Sequence, residues 1–168
     1  MRQMTTGNLQ AAFAGESQAH MRYLIFAEKA EKDGRPNIAR LFRAVAYAEQ
    51  VHATNHYRAL DGIKNTPENL ETAIAGETFE VEEMYPSYLE VAKLQDEQQA
   101  QTSMNYALET EKVHAQLYKT AKQAATGASD LEIGPISICG VCGYTIEGEL
   151  PDRCPICNAP RAQFKTFA

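Results

Sequence analysis

The sequence predicts a mainly α protein in which a four-helix bundle is followed by a small metal-binding domain. Three observations lead to this fold class. Residues 5–127 are rich in Ala, Glu, Gln and Leu and contain helix-breaking residues only at intervals. Two motifs recur within this region after 61 or 62 residues. All four cysteines of the chain lie between residues 139 and 157.

Helix-breaking residues divide the helical region into four predicted helices. Thr5 or Thr6 can cap the first helix. Pro86 should kink or split the third, because proline cannot donate a helical hydrogen bond. The boundary between the third and fourth helices is placed near Asp96, although no Gly or Pro marks it. The expected spans are 5–34, 36–60, 66–96 and 98–125.

A short segment separates the helices from the cysteines. Residues 126–136, with the sequence TGASDLEIGPI, mix Gly, Ser, Asp and Pro and are typical of a linker. We therefore expect a helical domain with its linker over residues 1–133 and a small domain over residues 134–168.

The helical region contains an internal repeat. AFAGES at 12–17 recurs as AIAGET at 73–78, and EQVHA at 49–53 recurs as EKVHA at 111–115. One helical hairpin has thus been used twice, which predicts a bundle with approximate two-fold symmetry. Each repeated motif carries a glutamate.

These glutamates occupy the apolar faces of their helices. On the second helix, for example, Ile38, Leu41 and Val45 form a stripe that leads to Glu49. A buried, unpaired carboxylate is costly, and several together repel one another, so we expect cations to neutralise them. The four repeated glutamates are Glu16, Glu49, Glu77 and Glu111.

Two of the glutamates begin a Glu-x-x-His motif, with His52 and His114 as the histidines. Residues three apart project from the same helical face, so both can reach one metal. One such motif alone usually lies on a solvated face. Two copies, each preceded by a Gly-Glu on the neighbouring helix, instead match the ligand pattern of di-iron carboxylate proteins.

Four further residues need separate interpretation. Glu80 has no counterpart in the first hairpin, where Ala19 stands at the equivalent position, so one metal has an additional possible ligand. Tyr23, two turns after Glu16, is a candidate for supporting the site, although core packing is the usual role of such a tyrosine. His20 and His56 lie outside the matched motifs and are interpreted as ordinary histidines.

The cysteines form two Cys-x-x-Cys motifs with eleven residues between them. Four thiolates at this spacing predict a tetrahedral metal site. The spacing alone leaves two metals open, because zinc ribbons and iron-binding rubredoxins use nearly the same motifs. The ligands are Cys139, Cys142, Cys154 and Cys157.

Composition and charge restrict the function classes. The chain has 44% hydrophobic and 23% charged residues and a net charge of −6, with no block of Lys or Arg. Binding to nucleic acid relies on basic groups that meet phosphates, so we expect no nucleic-acid partner. No apolar run of about 18 residues is present, and residues 1–10 lack the apolar core of a signal peptide. We therefore expect a cytoplasmic protein that is not bound to membranes.

The chain resembles the rubrerythrin family over nearly its whole length. The similar segments are GES and RY (15–17 and 22–23), AEQVH (48–52), AGETFE and MYP (75–80 and 84–86), EKVH (111–114), CGVCGY (139–144) and CPIC (154–157). The resemblance implies a ferritin-like di-iron domain and a C-terminal rubredoxin-like domain that binds iron. One departure from the family is the absence of a glycine between the third and fourth helices, where LQDEQQ stands.

The resemblance also implies a role for each ligand. Glu49 and Glu111 would bridge the irons, and Glu16 and Glu77 would each hold one of them. His114 would bind the same iron as Glu77. At the other iron, the resemblance implies that the ligand changes with oxidation state. Glu80 would bind this iron when it is oxidised, and His52 would bind it when it is reduced.

The activity implied by the resemblance is reduction of hydrogen peroxide to water by a homodimer. Electrons would pass through the four-cysteine iron from an external donor such as rubredoxin or an NAD(P)H-dependent reductase. Glu80, displaced from reduced iron, would carry protons. Two alternatives remain at this point: a ferritin-like protein that oxidises and stores iron, and a structural or partner-binding protein with zinc in its tail.

Overall fold

The computed structural model describes residues 1–127 and 130–168, which form two compact units, Met1–Lys64 and Asn65–Ala168. The helices are α1 (Gln3–Lys32), α2 (Pro36–Ala59), α3 (Thr66–Phe79), α4 (Tyr85–Leu94) and α5 (Gln98–Ala125). A π-helical segment (Glu80–Met84) joins α3 to α4, and Arg161–Gln163 form a 3-10 turn. The strands are β1 (Ile136–Cys139), β2 (Thr145–Glu147) and β3 (Phe164–Phe167). Two residues of the predicted linker, 128 and 129, lie outside the described ranges.

The helix positions follow the prediction closely, but the N-terminal caps do not. Helix α1 begins at Gln3, and the hydroxyl of Thr6 donates to the carbonyl of Arg2 at 3.3 Å, so the predicted caps Thr5 and Thr6 lie inside the helix. Helix α3 is capped by Asn65, whose side-chain oxygen accepts from the N–H of Glu68 at 3.0 Å. Asparagine is well suited to this position because its short side chain reaches the free N–H groups of the first turn.

The turn between α4 and α5 depends on Asp96, which takes the left-handed backbone conformation with φ of 56°. The same conformation ends α1 at Gly34, with φ of 71°, and follows α2 at Asp61, with φ of 55°. Aspartate tolerates this region better than most residues because its side chain can bond locally to the backbone. The missing glycine therefore does not prevent a tight helical turn.

Pro86 changes the helix without ending it. The helical path continues from Thr66 to Leu94, and the disturbance takes the form of the π-helical segment directly before the proline. The N–H of Tyr85 donates to the carbonyl of Glu80, five residues earlier. Such a widened turn adds one residue to the helix and often occurs at functional sites.

In the unit Met1–Lys64, α1 and α2 pack along a seam of small side chains. The buried residues of these helices are all alanines: Ala19, Ala27, Ala30, Ala39, Ala46 and Ala53. The predicted core residues Ile38, Leu41 and Val45 are instead exposed, with Leu41 at 62%. A pair of helices buries only the line along which they meet, so larger apolar side chains on the flanks stay accessible.

In the unit Asn65–Ala168, α3 and α4 pack along α5, and the C-terminal segment forms a small antiparallel sheet. Strand β1 lies in the centre of the strand order β2-β1-β3, and β2 contacts α5. Among the described residues, no helix is both long and apolar enough to span a lipid bilayer.

Candidate metal centres

The first hairpin brings together Glu16 of α1 with Glu49 and His52 of α2. The Nδ1 atom of His52 lies 3.0 Å from Oε2 of Glu49 and 4.0 Å from Oε1 of Glu16. The side chain of Glu49 is 15% exposed, whereas that of His52 is 54% exposed. One ligand atom from each residue fits within 4.8 Å of the others, which is close enough to hold one cation.

The second hairpin repeats this arrangement with Glu77 of α3 and with Glu111 and His114 of α5. The Nδ1 atom of His114 lies 2.6 Å from Oε2 of Glu111 and 3.9 Å from Oε2 of Glu77. The predicted use of one hairpin twice thus holds for the ligand atoms as well as for the sequence. Each hairpin presents two carboxylates and one imidazole through Nδ1.

The electrostatics of Glu77 suit a cation. Its Oε2 atom is buried without a hydrogen-bond partner among the described residues. Burial raises the pKa of Glu77 to about 7, and the carboxylates of Glu111 and Glu80 add to this rise. A buried carboxylate that lacks donors and faces other carboxylates is stabilised by a proton or a metal ion. The residues present therefore fit a metal centre.

Glu80 lies at the start of the π-helical segment, within the field of the second hairpin's ligands. Burial and the charge of Glu111 raise its pKa, and His114 lowers it in part. The pKa of Tyr85 is also raised, mainly by burial and then by the charge of Glu80. In the sequence, Tyr85 stood out only as part of the MYP segment and of the apolar stripe of the third helix.

Tyr23 lies in a cluster of aromatic rings. Its ring centroid is 6.2 Å from that of Phe42 and 6.3 Å from that of Phe26. His20, interpreted from the sequence as an ordinary histidine, donates a 2.8 Å hydrogen bond from its Nδ1–H to the carbonyl of Ala46. Since this bond joins α1 to α2, His20 has a clear structural role.

The four predicted cysteine ligands converge in the C-terminal segment. The Sγ atoms of Cys139 and Cys157 are 3.6 Å apart, and those of Cys142 and Cys154 are 3.5 Å apart. A metal bound tetrahedrally at about 2.3 Å places sulfur atoms about 3.8 Å apart, so the thiols are arranged for one ion. All four are free cysteines.

The two Cys-x-x-Cys turns share one backbone pattern. The N–H of Gly143 donates to the carbonyl of Cys139 at 2.9 Å, and the N–H of Asn158 donates to that of Cys154 at 2.9 Å. Gly143 and Asn158 both have positive φ, of 82° and 62°. These left-handed residues reverse the chain directly after each second cysteine.

Backbone donors also distinguish the thiols. Burial raises the pKa of Cys139, but hydrogen bonds from the N–H groups of Cys142 and Val141 outweigh it, so the net pKa lies below the usual thiol value. Burial raises the pKa of Cys142 and, less strongly, that of Cys157. A cation that binds all four as thiolates must displace protons from the latter two.

The cysteine domain contacts α5 through two threonines that no sequence motif singled out. The Oγ1 atom of Thr145 lies 2.7 Å from Nε2 of His114. The hydroxyl of Thr110 donates to the carbonyl of Cys142 at 3.2 Å. Both threonines are buried. Threonine is common in turns and helices, so nothing in the sequence distinguished these two.

Comparison with known proteins agrees with these centres. Residues 7–122 match the family described as Rubrerythrin, and residues 138–165 match its rubredoxin-like domain. The chain belongs to the rubrerythrin family. It is 44% identical to Rubrerythrin-2 of Clostridium acetobutylicum, over 98% of this chain and 97% of that protein.

More distant relatives of this rubrerythrin also support its place in the family. Nigerythrin of Nitratidesulfovibrio vulgaris is 32% identical, over 97% of this chain and 86% of the relative. A solved structure described as the fully reduced, all-ferrous state of nigerythrin matches with a TM-score of 0.56 and the same coverage. A structure of its mixed-valence state matches equally.

Family membership confirms the predicted fold class, with ferritin-like helices and a small rubredoxin-like domain. It also identifies iron as the metal of both the carboxylate and the cysteine sites, and it makes the protein an oxidoreductase. The predicted division of the chain at residues 133 and 134 stays a prediction.

Proposed function

We propose that this rubrerythrin is a peroxidase that reduces hydrogen peroxide to water with a di-iron centre. The proposal is supported by one observation: each of the two hairpins carries the same set of ligands, two glutamates and one histidine. In both hairpins the Nδ1 atom of the histidine faces a carboxylate. Two equivalent ligand sets suit two irons that act together on one two-electron substrate. Protection against oxidative stress follows from this activity.

Each ligand has a proposed role. The two carboxylates from the Glu-x-x-His motifs would be shared by the irons, and Glu16 and Glu77 would each hold one iron. His114 binds on the side of Glu77, which is consistent with its 3.9 Å approach to that residue. The other iron would be held by Glu80 in the oxidised state and by His52 in the reduced state. The bridging residues are Glu49 and Glu111.

The protein supplies the protons. When bound, two ferrous irons provide the two electrons that cleave the O–O bond of peroxide. Glu80, released from metal in the reduced state, holds a proton near the bond that breaks. Burial raises its pKa, which favours the protonated carboxyl. Tyr23 supports the site from its aromatic cluster by holding the flank of α1 against α2.

The cysteine site supplies electrons one at a time, so each peroxide requires two deliveries. An external donor such as a rubredoxin or an NAD(P)H-dependent reductase would supply electrons to iron held by the four cysteines. The working assembly is a homodimer. An iron store has no need of a one-electron relay in the same chain, and this disfavours the ferritin-like alternative.

Anaerobic mixing of the reduced protein with hydrogen peroxide tests the proposal. One equivalent of peroxide per chain should be consumed in a single turnover, and a reductase with NADH should sustain continued consumption. The storage alternative instead predicts uptake of ferrous iron well beyond the two ligand sets. Peroxide that persists in the presence of fully loaded, reduced protein would contradict the peroxidase assignment.

A further inference from the structure

Each hairpin carries only half of the carboxylate centre. Glu16, Glu49 and His52 belong to the unit Met1–Lys64, and the matching ligand set belongs to the unit Asn65–Ala168. A di-iron carboxylate centre draws ligands from all four helices of its bundle. A complete centre therefore needs one hairpin of each kind.

The ligand face of the first hairpin is open. The side chain of His52 is 54% exposed. Val45 and Leu41, one and two turns before Glu49 on the same face of α2, are 37% and 62% exposed. A helix buries its apolar stripe against another element, and an exposed apolar patch marks a surface that binds a partner. The ligand face of α2 is therefore suited to being covered by further helices.

The second hairpin has an apolar face of the same kind. Tyr88 and Val91 of α4 are 49% and 53% exposed, and they line a groove together with Met104 of α5. Met104 stands two turns before Glu111, so both residues lie on the same side of α5. Both kinds of hairpin thus expose apolar side chains on the side of their metal ligands.

The ferritin-like fold needs one long crossover connection between its helices. Residues 1–127, all of which the structure describes, contain no long connection. Within the two hairpins, the turns consist of residues 33–35 and 95–97. The crossover of a single-chain bundle would therefore have to lie between α2 and α3, where residues 60–65 stand.

The distance that this crossover would have to cover follows from the positions of the ligands. The two ligand sets of one centre lie at the same level of the bundle. Helix α2 continues for about 15 Å beyond Glu49, and α3 begins about 16 Å before Glu77. Since the crossover joins two parallel helices, it must return about 30 Å along the bundle.

The connection between α2 and α3 is too short for this distance. The chain from Ala59 to Thr66 spans at most about 25 Å even when it is fully extended. It is not fully extended, because the N–H of Gly62 donates back to the carbonyl of Tyr57 at 3.0 Å. One chain therefore cannot place both of its hairpins in the same ferritin-like bundle.

We propose that the α1–α2 hairpin of each copy closes the bundle of a second copy, so that every carboxylate centre is built from two chains. The ligand set of α1 and α2 in one copy then meets the ligand set of α3 and α5 in the other. Exchange of an identical element between copies is a low-cost route to a dimer, and a short hinge favours it. The inference rests on the proposed homodimer and adds which part of each chain contributes to each centre.

Mixing of two variant chains tests the hairpin exchange. One chain carries Glu49→Ala and the other Glu111→Ala, and different tags allow purification of dimers that contain one of each. With exchange, one bundle of this dimer combines both altered hairpins and the other combines both native hairpins, so half of the carboxylate-bound iron of the native dimer is expected. Without exchange, every bundle contains one altered hairpin. Metal analysis that finds no more iron than in the two single-variant proteins would overturn the proposal.

The matched control mixes Glu16→Ala with Glu49→Ala. Both changes lie in the first hairpin, so no bundle of the mixed dimer is native, and its iron content should equal that of the single variants. Restored iron in this control would overturn the proposal. Glu16→Gln mixed with Glu77→Gln repeats the main test with side chains of native size, and the same half of the native iron content is expected.

A longer hinge tests the geometric argument. Insertion of about 20 Gly and Ser residues between Gly62 and Ile63 provides a connection that can span the bundle. With this insertion, the mixed Glu49→Ala and Glu111→Ala dimers should lose the restored iron, whereas the protein with native ligands should keep its iron. Restored iron that persists would overturn the role of the hinge. Iron content is measured without peroxide, so a failure of the proposed peroxidase activity would be seen separately, as peroxide that persists with fully loaded native protein.

Discussion

The Nδ1 atom of His114 lies 2.6 Å from Oε2 of Glu111, so one turn of α5 offers an imidazole and a carboxylate to the same point in space. This spacing results from the helix itself, because residues three apart share a face. His52 and Glu49 repeat it on α2 at 3.0 Å. Each of the two helices thus carries one Glu–His clamp, formed by Glu49 and His52 on α2 and by Glu111 and His114 on α5.

Loss of the Glu111 carboxylate should remove iron from the helical domain but not from the cysteine site. Glu111→Gln keeps the size of the side chain but removes its charge, so we expect less carboxylate-bound iron and a drop in peroxide reduction of at least about 100-fold. Metal analysis and the visible spectrum should show that the cysteine site keeps its iron. Glu109→Gln, which alters a residue paired with Lys112 on the same helix, is the control. Retention of all iron and activity in Glu111→Gln would refute the bridging role.

His52 and Glu80 should affect opposite oxidation states. His52→Ala is expected to weaken iron binding in the reduced protein and to spare the oxidised centre. Glu80→Gln should slow cleavage of peroxide about 100-fold or more, because it removes the proton carrier. Crystal structures of the oxidised and chemically reduced native protein would test the exchange directly. Identical coordination in the two states would exclude it.

The cysteine site should be needed for recycling and not for the first turnover. Cys154→Ser disrupts the metal on which the small domain depends for folding. The prereduced variant should still oxidise with peroxide in stopped-flow measurements, but consumption sustained by a reductase should fall to background. Normal steady-state turnover by protein shown to lack tail iron would mean that electrons enter the carboxylate centre directly.

The raised pKa of Glu77 predicts how stability depends on pH when no metal is bound. Since the pKa rises from 4.5 to about 7 on folding, the folded state holds a proton that the unfolded state releases. This contribution to the unfolding free energy is complete below pH 4.5 and is lost as the pH rises towards 7. The midpoint of thermal unfolding should therefore fall between about pH 5 and about pH 7.5, and Glu77→Gln should reduce that fall. An identical pH dependence in both proteins would contradict the assignment.

The cap of α3 allows a test of stability that is independent of metal. Asn65→Ala should lower the unfolding free energy by about 1 kcal/mol, because the N–H of Glu68 loses its acceptor. Asn65→Asp keeps an oxygen in place and should recover most of the loss. Chemical denaturation monitored by circular dichroism provides the comparison. No difference between Asn65→Ala and the native protein would show that the cap is dispensable.

The helical hairpins and the metal-ligand motifs were predictable from the sequence, because they follow from periodicity and spacing. The repeat located both hairpins and their ligand sets, and the cysteine spacing located the second site. Features that depend on the hydrogen bond or backbone conformation of a single residue were not predictable, such as the cap of α3 at Asn65 and the left-handed backbone of Asp96. Thr145 carried no signal, since its importance arises only from the docking of β2 on α5.

The burial of side chains was predicted less accurately than the positions of the helices. The apolar stripe of α2 was taken as core, yet Leu41 is 62% exposed, and the buried seam consists of alanines such as Ala39 and Ala46. Periodicity identifies which residues share a face but not how closely two backbones approach. Small residues allow the closest approach, and they therefore occupy the line of contact.

The π-helical segment explains why the two halves of the repeat are not the same length. Glu16 precedes the end of α1 at Lys32 by 16 residues, whereas Glu77 precedes the end of α4 at Leu94 by 17 residues. The extra residue falls in the stretch that contains the widened turn, and a turn of this kind accommodates one inserted residue. The two halves of the duplicated hairpin thus differ by one residue over this stretch. Deletion of one residue from 80–84 is therefore the shortest change that would return the second hairpin to the spacing of the first.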